Sequence, residues 1–335
     1  MAVENNAVSS ERIPVTLLTG FLGAGKTTLL NHILSAHHGH KIAVIVNEFG
    51  EVGIDNKLVI GADEEIFEMN NGCICCTVRG DLIRILSDLL DARDGKNGKY
   101  AEFDRVLIET TGLADPAPVI QTFFINEDID SAYYLDSVIT MVDARHADQH
   151  LDEGHEAQEQ VAFADVLLLN KVDLVDTNEL QSLEKRLRAM NPHAKIYQTH
   201  KSNIELEKIL GINAFDIDQK LEIDPGFLQE EDHEHDDSVS SIVLREERPL
   251  DMDKIDKWVI GWVVNLGTEV FRYKGILYIK GVKQRVIFQG VHMLFESTSD
   301  REWREDERKV SEVVLIGRNL DREWFQKGFE KCVAH

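Results

Sequence analysis

Apolar residues gather in short, nearly unbroken runs: PVTLLT at 14–19, KIAVIVN at 41–47, EIFEM at 65–69, RVLIE at 105–109, SVITMVD at 137–143 and DVLLLN at 165–170. Stretches with helical spacing lie between them, at 26–38, 79–92, 156–164 and 178–190. A run without polar alternation suits a strand covered on both faces, and strands alternating with helices form βαβ units. The pattern predicts an α/β fold, a parallel sheet with helices on both faces. Right-handed crossovers then put ligand sites beyond the carboxyl ends of the strands.

The alternation fades after IYQTH at 196–200, and LQEEDHEHDD at 228–237 reads as a solvated acidic linker. Beyond it come SVSSIVLRE, a helix near 251–265, two long strands in FRYKGILYIKG and QRVIFQGVHMLFES, then SEVVLIGRN and a closing helix from Asp321. This mixture without βαβ rhythm predicts a smaller C-terminal α+β domain. The expected division is a flexible tail at 1–12, a nucleotide domain at 13–214, an acidic linker at 215–238 and the α+β domain at 239–335.

With 335 residues, 43% of them apolar, the chain can fill a core in each of two domains. Its 60 acidic against 36 basic residues give a net charge of −24, which repels nucleic-acid backbones and anionic lipid. Neither nucleic acid nor membrane is an expected partner. The first residues hold no signal-peptide core, and no run approaches the roughly 18–20 apolar residues of a membrane span. A cytoplasmic protein, monomeric or weakly self-associating, is expected. Any phosphate it binds must be gripped by a local device.

That device is GFLGAGKTT, from Gly20 to Thr28, which contains G-x-x-x-x-G-K-T after a predicted strand and before a predicted helix. Gly20, Gly23 and Gly25 let successive backbone N–H groups face one phosphate chain, and the helix N-terminus adds partial positive charge. Lys26 is expected to reach the β- and γ-phosphates, with the Thr27 hydroxyl on Mg²⁺ and Thr28 completing the motif. Glu109 ends RVLIE, and Gly112 follows in TTG, where a P-loop protein carries an acid near Mg²⁺ and a glycine near the γ-phosphate. Glu109 either binds Mg²⁺ through water or positions the attacking water. Base choice is read from Asn170, Lys171 and Asp173 in NKVD at the end of another strand. A carboxylate there accepts the N1 and N2 hydrogens of guanine, whereas adenine would leave it buried and unpaired. GTP is the expected nucleotide, with His200 a candidate lining residue.

Three of four cysteines crowd into NGCICC as Cys73, Cys75 and Cys76, directly after EIFEM and so toward the phosphate-bearing edge. Thiolates suit Zn²⁺, Cu⁺ or Co²⁺, and three need one more donor for a tetrahedron. Glu48 in NEFGE is the expected fourth ligand. A catalytic disulfide among the vicinal thiols is the rival chemistry. Arg79, just past the cysteines, is a candidate cation near phosphate. His37, His38 and His40 are expected to close the first helix as polar caps, and His233 and His235 belong to the solvated linker.

Taken in order, GFLGAGKTT, NEFGE, NGCICC, ETTGLADP and NKVD closely resemble the CobW family of P-loop GTPases, and RYKGILYIKG, FQGVHMLFE and VLIGRNLD resemble its C-terminal domain. Within the family the chain is most similar to the zinc-associated group. The resemblance implies a GTP-dependent metallochaperone that couples hydrolysis to Zn²⁺ or Co²⁺ at Cys73, Cys75 and Cys76 and delivers the ion to a client apo-metalloprotein. Two other functions fit the same residues: a metal reservoir with a structural nucleotide, and a regulatory GTPase whose thiols sense redox state.

Overall fold

The computed structural model describes residues 12–36, 38–46, 66–68, 76–96, 102–214 and 239–334. Its first half runs β1 Ile13–Gly20, α1 Lys26–Ser35, β2 Ile42–Val46, β3 Ile66–Glu68, α2 Cys76–Arg93, β4 Arg105–Glu109, α3 Ala117–Ile125, α4 Glu127–Ala132, β5 Tyr133–Asp143, α5 Ala147–Glu153, α6 His155–Phe163, β6 Val166–Asn170, α7 Thr177–Met190 and β7 Lys195–Gln198. The seven strands form one sheet in the order β3-β2-β4-β1-β5-β6-β7, and every pairing is parallel. Strands β2, β4 and β6 are buried along their whole length, as their unbroken apolar runs require.

Local chemistry sets the helices. Asp176 accepts from the backbone N–H groups of Asn178 and Glu179, and the Glu179 side chain returns a bond to the Asp176 N–H, which starts α7 with a capping box. Leu183, Leu187 and Met190 then form its buried stripe. Helix α1 ends at Ser35, earlier than its sequence pattern predicts, so the basic residue of its last turn is His32. His38 and His40 lie in the following turn, where a hydrogen bond links the His38 imidazole to the Ile33 backbone in the last turn of the helix and His40 approaches Asp104 at 3.4 Å. Helices α3, α4 and α5 have no counterpart in the apolar pattern. α3, APVIQTFFI, is apolar almost all round, while α4 and α5 span 6 and 7 residues, too few to show a period.

The second half comprises β8 Val239–Glu246, α8 Met252–Leu266, β9 Val270–Leu277, β10 Gln284–Val291, β11 Leu294–Glu302, β12 Ser311–Arg318 and α9 Arg322–Glu330. These strands form a five-stranded antiparallel sheet in the order β11-β10-β9-β12-β8. The run QRVIFQGVHMLFES, expected as one long strand, is a hairpin. Val291 pairs with Leu294, so His292 and Met293 make a two-residue turn, with His292 at φ 53. No Gly or Asn marks that turn, which is why apolar patterning runs through it.

One face of the antiparallel sheet packs on α8 and α9 around Trp262, Tyr273, Phe325 and Phe329. The other face contributes Phe271, Val291, Val314 and Ile316 to the core of the parallel domain. Asp165, just before β6, joins the halves: its carboxylate accepts from Arg272 and from Lys274, at 3.3 Å, both on β9. It also accepts from the Val138 N–H on β5 at 2.8 Å. Burial raises the Asp165 carboxyl, but Arg272 and Lys274 outweigh it and hold the group below its ordinary value.

Candidate nucleotide site and the cysteine-bearing helix

Strand β1 runs straight into the loop that opens α1, so Gly20 to Thr28 lie at the carboxyl edge of the sheet. Gly20, Gly23 and Gly25 all have positive φ. At Gly25, with φ 113, a Cβ would stand 2.5 Å from Asn170 Nδ2, so the loop closes against β6 only with glycine there. The buried Lys26 ammonium donates to the carbonyls of Gly20 at 2.8 Å and Phe21 at 3.2 Å. Its positive charge therefore lies within the loop. Thr27 is half-buried and Thr28 exposed.

The buried Glu109 ends β4, between Val46 of β2 and Leu18 of β1. Thr110 continues along β1: its N–H donates to the Leu18 carbonyl at 3.0 Å and its hydroxyl to Thr19 Oγ1 at 2.9 Å. Gly112 then packs on the phosphate loop so tightly that a Cβ would meet the Leu22 nitrogen at 2.6 Å. The acid and the glycine thus reach the same edge as Lys26. Thr27 and Glu109 supply the hard oxygen donors that suit Mg²⁺.

At the end of β6, Asn170 is a stitch. Its Nδ2 donates to the Ala24 carbonyl at 2.9 Å and to Ser202 Oγ at 3.2 Å, while its Oδ1 accepts from Thr199 Oγ1 at 3.2 Å and from the Ser202 N–H at 3.0 Å. Lys171 has φ 62 and donates from Nζ to Asp143 Oδ2 at 2.7 Å. Burial raises Asp143, but bonds from Lys171, His146 and the Arg145 N–H bring it below the ordinary carboxylate value. Asp173 stays exposed, with His200 Nε2 at 3.5 Å from its carboxylate. The structure thus brings together Asp173 and His200, which are far apart in sequence.

Three participants carry no mark in the motif reading. Asp143 ends SVITMVD, and the rule that singles out Glu109 would have found it. Ser202 follows the strand after NKVD and has no motif of its own. Gln160, inside α6, donates from Nε2 to the carbonyls of Gly112 at 3.2 Å and Ala114 at 3.1 Å. No local signal announces it.

Glu48, Cys73 and Cys75 lie outside the described residues, as do His37, His233 and His235. Cys76 opens α2, whose N-terminus follows the carboxyl end of β3. Arg79 donates to Gln121 Oε1 of α3 at 2.6 Å, so this candidate phosphate cation is committed to a neighbouring helix. Among the described residues no group of three or more His, Cys, Asp or Glu side chains could hold a metal. Cys332 is a buried free thiol pushed up to about 11 by burial, too protonated to be a ready ligand. No described helix is long and apolar enough to cross a membrane.

Residues 14–198 match the CobW/HypB/UreG nucleotide-binding domain, and residues 239–333 match the cobalamin synthesis protein cobW C-terminal domain. The zinc chaperone YjiA of Escherichia coli (strain K12) is 42% identical over 318 residues, covering 95% of this chain and 98% of that protein. The zinc-regulated GTPase metalloprotein activator 1 of Dictyostelium discoideum is 32% identical over 313 residues, covering 81% of this chain and 62% of that protein. The crystal structure of Zn(II)-bound YjiA GTPase from E. coli superposes with a TM-score of 0.75 at 35% identity, covering 96% of this chain and 99% of that one. With the phosphate loop, the acid and glycine after β4 and the NKVD strand all on one sheet edge, the chain belongs to the CobW/HypB/UreG family and carries its CobW-type C-terminal domain.

Proposed function

We propose that the chain is a GTP-hydrolysing metallochaperone that carries Zn²⁺, or Co²⁺ in its place, to a client apo-metalloprotein. The observation that carries this reading is the shared edge: Lys26, Glu109 and Asp173 stand at the carboxyl ends of β1, β4 and β6, and α2 opens at Cys76 after the same end of β3. Cargo bound by Cys73, Cys75, Cys76 and Glu48 would then feel the state of the nucleotide. The zinc-chaperone names of the relatives support the same reading. A monomer or weak homo-oligomer in the cytoplasm, where thiols stay reduced, suits such a carrier.

In this mechanism the backbone N–H groups of Gly23 to Thr28 cradle the phosphates, and Lys26 neutralises charge on the β- and γ-oxygens. Asp173 selects guanine. The Thr27 hydroxyl and Glu109 would hold Mg²⁺, which would supply further charge neutralisation to the phosphates; Glu109 could instead position the attacking water. Water attacks the γ-phosphorus, and the bond to the bridging oxygen of GDP breaks. Turnover is expected to be slow, because Arg79 is tied to Gln121 and P-loop GTPases without an arginine finger hydrolyse slowly.

The test is a Zn²⁺ titration of the apo, GDP and GTP-analogue forms. Affinities should differ about 5- to 150-fold between nucleotide states, the usual size of coupling between sites. Equal affinities would remove the switch. A GTPase rate indifferent to metal, both in the parent and with Cys73, Cys75 and Cys76 changed to Ala, would favour the reservoir instead.

A further inference from the structure

Helix α6 touches both halves of the molecule through adjacent residues. Gln160 is 1% exposed, and its amide holds the carbonyls of Gly112 and Ala114, in the segment that follows Glu109. Its own main-chain carbonyl accepts from Thr140 Oγ1 of β5 at 2.7 Å, so the helix backbone is anchored to the sheet at the same residue. One position earlier, Glu159 pairs with Arg318 of β12 at 3.5 Å. One turn later, the buried Phe163 ring lies 6.1 Å from Phe271 of β9 and 5.6 Å from His292 in the β10–β11 turn. The Phe163 carbonyl accepts from Arg272, which also holds Asp165. Arg318 in turn lies over the Phe271 ring at 5.2 Å.

The geometry has a mechanical consequence. Gly112 has no room for a side chain toward the phosphate loop, because a Cβ there would meet the Leu22 nitrogen at 2.6 Å. A γ-phosphate that draws in or releases the 110–116 segment must therefore be answered on its other side, where Gln160 holds two of its carbonyls. α6 packs on β8 and β9 and reaches β12 and the β10–β11 turn through Glu159 and Phe163, so a shift of the helix bears on the antiparallel sheet. Tightly packed interiors transmit such displacements instead of absorbing them.

We propose that Gln160 is a positioning residue for the 110–116 segment and that α6 transmits the nucleotide state to the antiparallel sheet through Glu159–Arg318 and Phe163–Phe271–His292. This rests on the GTPase reading above and extends it: the C-terminal domain becomes an output body whose arrangement differs between GTP and GDP forms. GDP lacks the phosphate that the segment senses, so the relay bears on GTP and leaves GDP binding alone.

The test uses the full chain, with a fluorescent GTP analogue that resists hydrolysis and the matching GDP analogue. Gln160→Met keeps the side-chain shape and removes the amide. It should weaken the GTP analogue about tenfold with GDP unchanged, the expected cost of losing the loop's buried bonds. Arg318→Met, on the other domain and far less disruptive to folding, should weaken the GTP analogue several-fold by reciprocity, and Arg318→Lys should restore most of it. Amide hydrogen exchange should show β9 and β12 responding to GTP against GDP in the parent and not in Gln160→Met. Equal losses for both nucleotides in either variant, or exchange in β9 and β12 that ignores the nucleotide, would overturn the relay. A parent that binds neither nucleotide would overturn the GTPase reading and the relay with it.

Discussion

The two sheets bury their strands by different rules. In the parallel sheet, β2, β4 and β6 are covered on both faces, so chemistry can be presented only where strands end. In the antiparallel sheet, β9 is buried almost throughout while β11 is mostly exposed. That edge strand reads LFESTSDRE, and its charged residues discourage pairing with another chain. The difference separates labour: the first sheet concentrates polar groups on one rim, and the second offers faces and edges for contact. What connects them is a shared apolar core, to which Phe271, Val291, Val314 and Ile316 belong, and a set of buried polar bonds around Asp165 and α6.

The largest effect that would break this picture lies on the rim. Lys26→Ala should reduce GTP turnover about 100- to 1000-fold in a phosphate-release assay, the cost of removing one aligned group from charge developing on phosphate. The sheets should survive it, and a variant that unfolds instead would mean the lysine serves the loop more than the nucleotide.

Next comes the seam. Asp165→Ala leaves Arg272 and Lys274 buried without their anion and should cost about 3–5 kcal/mol in urea unfolding. The two halves should then melt in separate transitions where the parent melts in one. A single transition at unchanged midpoint would show that apolar packing alone binds the sheets.

The seam should also sense acid. Burial, and then the charges of Lys274 and Arg272, push the His193 imidazole down to about 3 from 6.5, against the attraction of Asp165. Its Nε2 is buried without a hydrogen-bond partner among the described residues. The unfolded chain takes up this proton more readily than the folded one. Stability from His193 is therefore complete above pH 6.5 and is lost as pH falls toward 3. His193→Gln should flatten thermal stability across that window, and an unchanged slope would count against this assignment.

The smallest effect has the opposite sign. Burial, and then the Asp115 carboxylate, raise Glu159 to about 7 from 4.5, with Glu156 adding to the rise and Arg318 opposing it. The folded protein holds this proton where the unfolded chain has released it, so the contribution declines as pH rises from 4.5 to about 7. Glu159→Gln should shift stability at pH 8 by no more than about 1 kcal/mol, toward greater stability. A large loss there would mean that the ion pair with Arg318 dominates.

Much of the fold could be read along the chain. The runs at RVLIE and DVLLLN became β4 and β6 within a residue, because a strand covered on both faces needs a continuous apolar stretch. QRVIFQGVHMLFES did not reveal its turn, since neither His292 nor Met293 is a residue that marks one. Helix α3 hid for the converse reason: apolar almost all round, it has no polar face to give a period.

For the site, the local motifs determined their own chemistry. GFLGAGKTT reads as a phosphate loop because consecutive backbone amides are expected to do the binding, and NKVD puts at a strand end a carboxylate proposed to meet guanine. Only the tertiary structure decided who holds these motifs in place. Asn170 reaches Ala24 across 146 positions, Gln160 reaches Gly112 across 48, and Arg272 reaches Asp165 across 107. Gln160 and Arg272 have no pattern around them, the motif that holds Asn170 does not announce Ala24, and each partner is chosen by how buried surfaces meet. A binding loop is a local property of the backbone, whereas its support is a property of packing, which arises only once distant segments share one core.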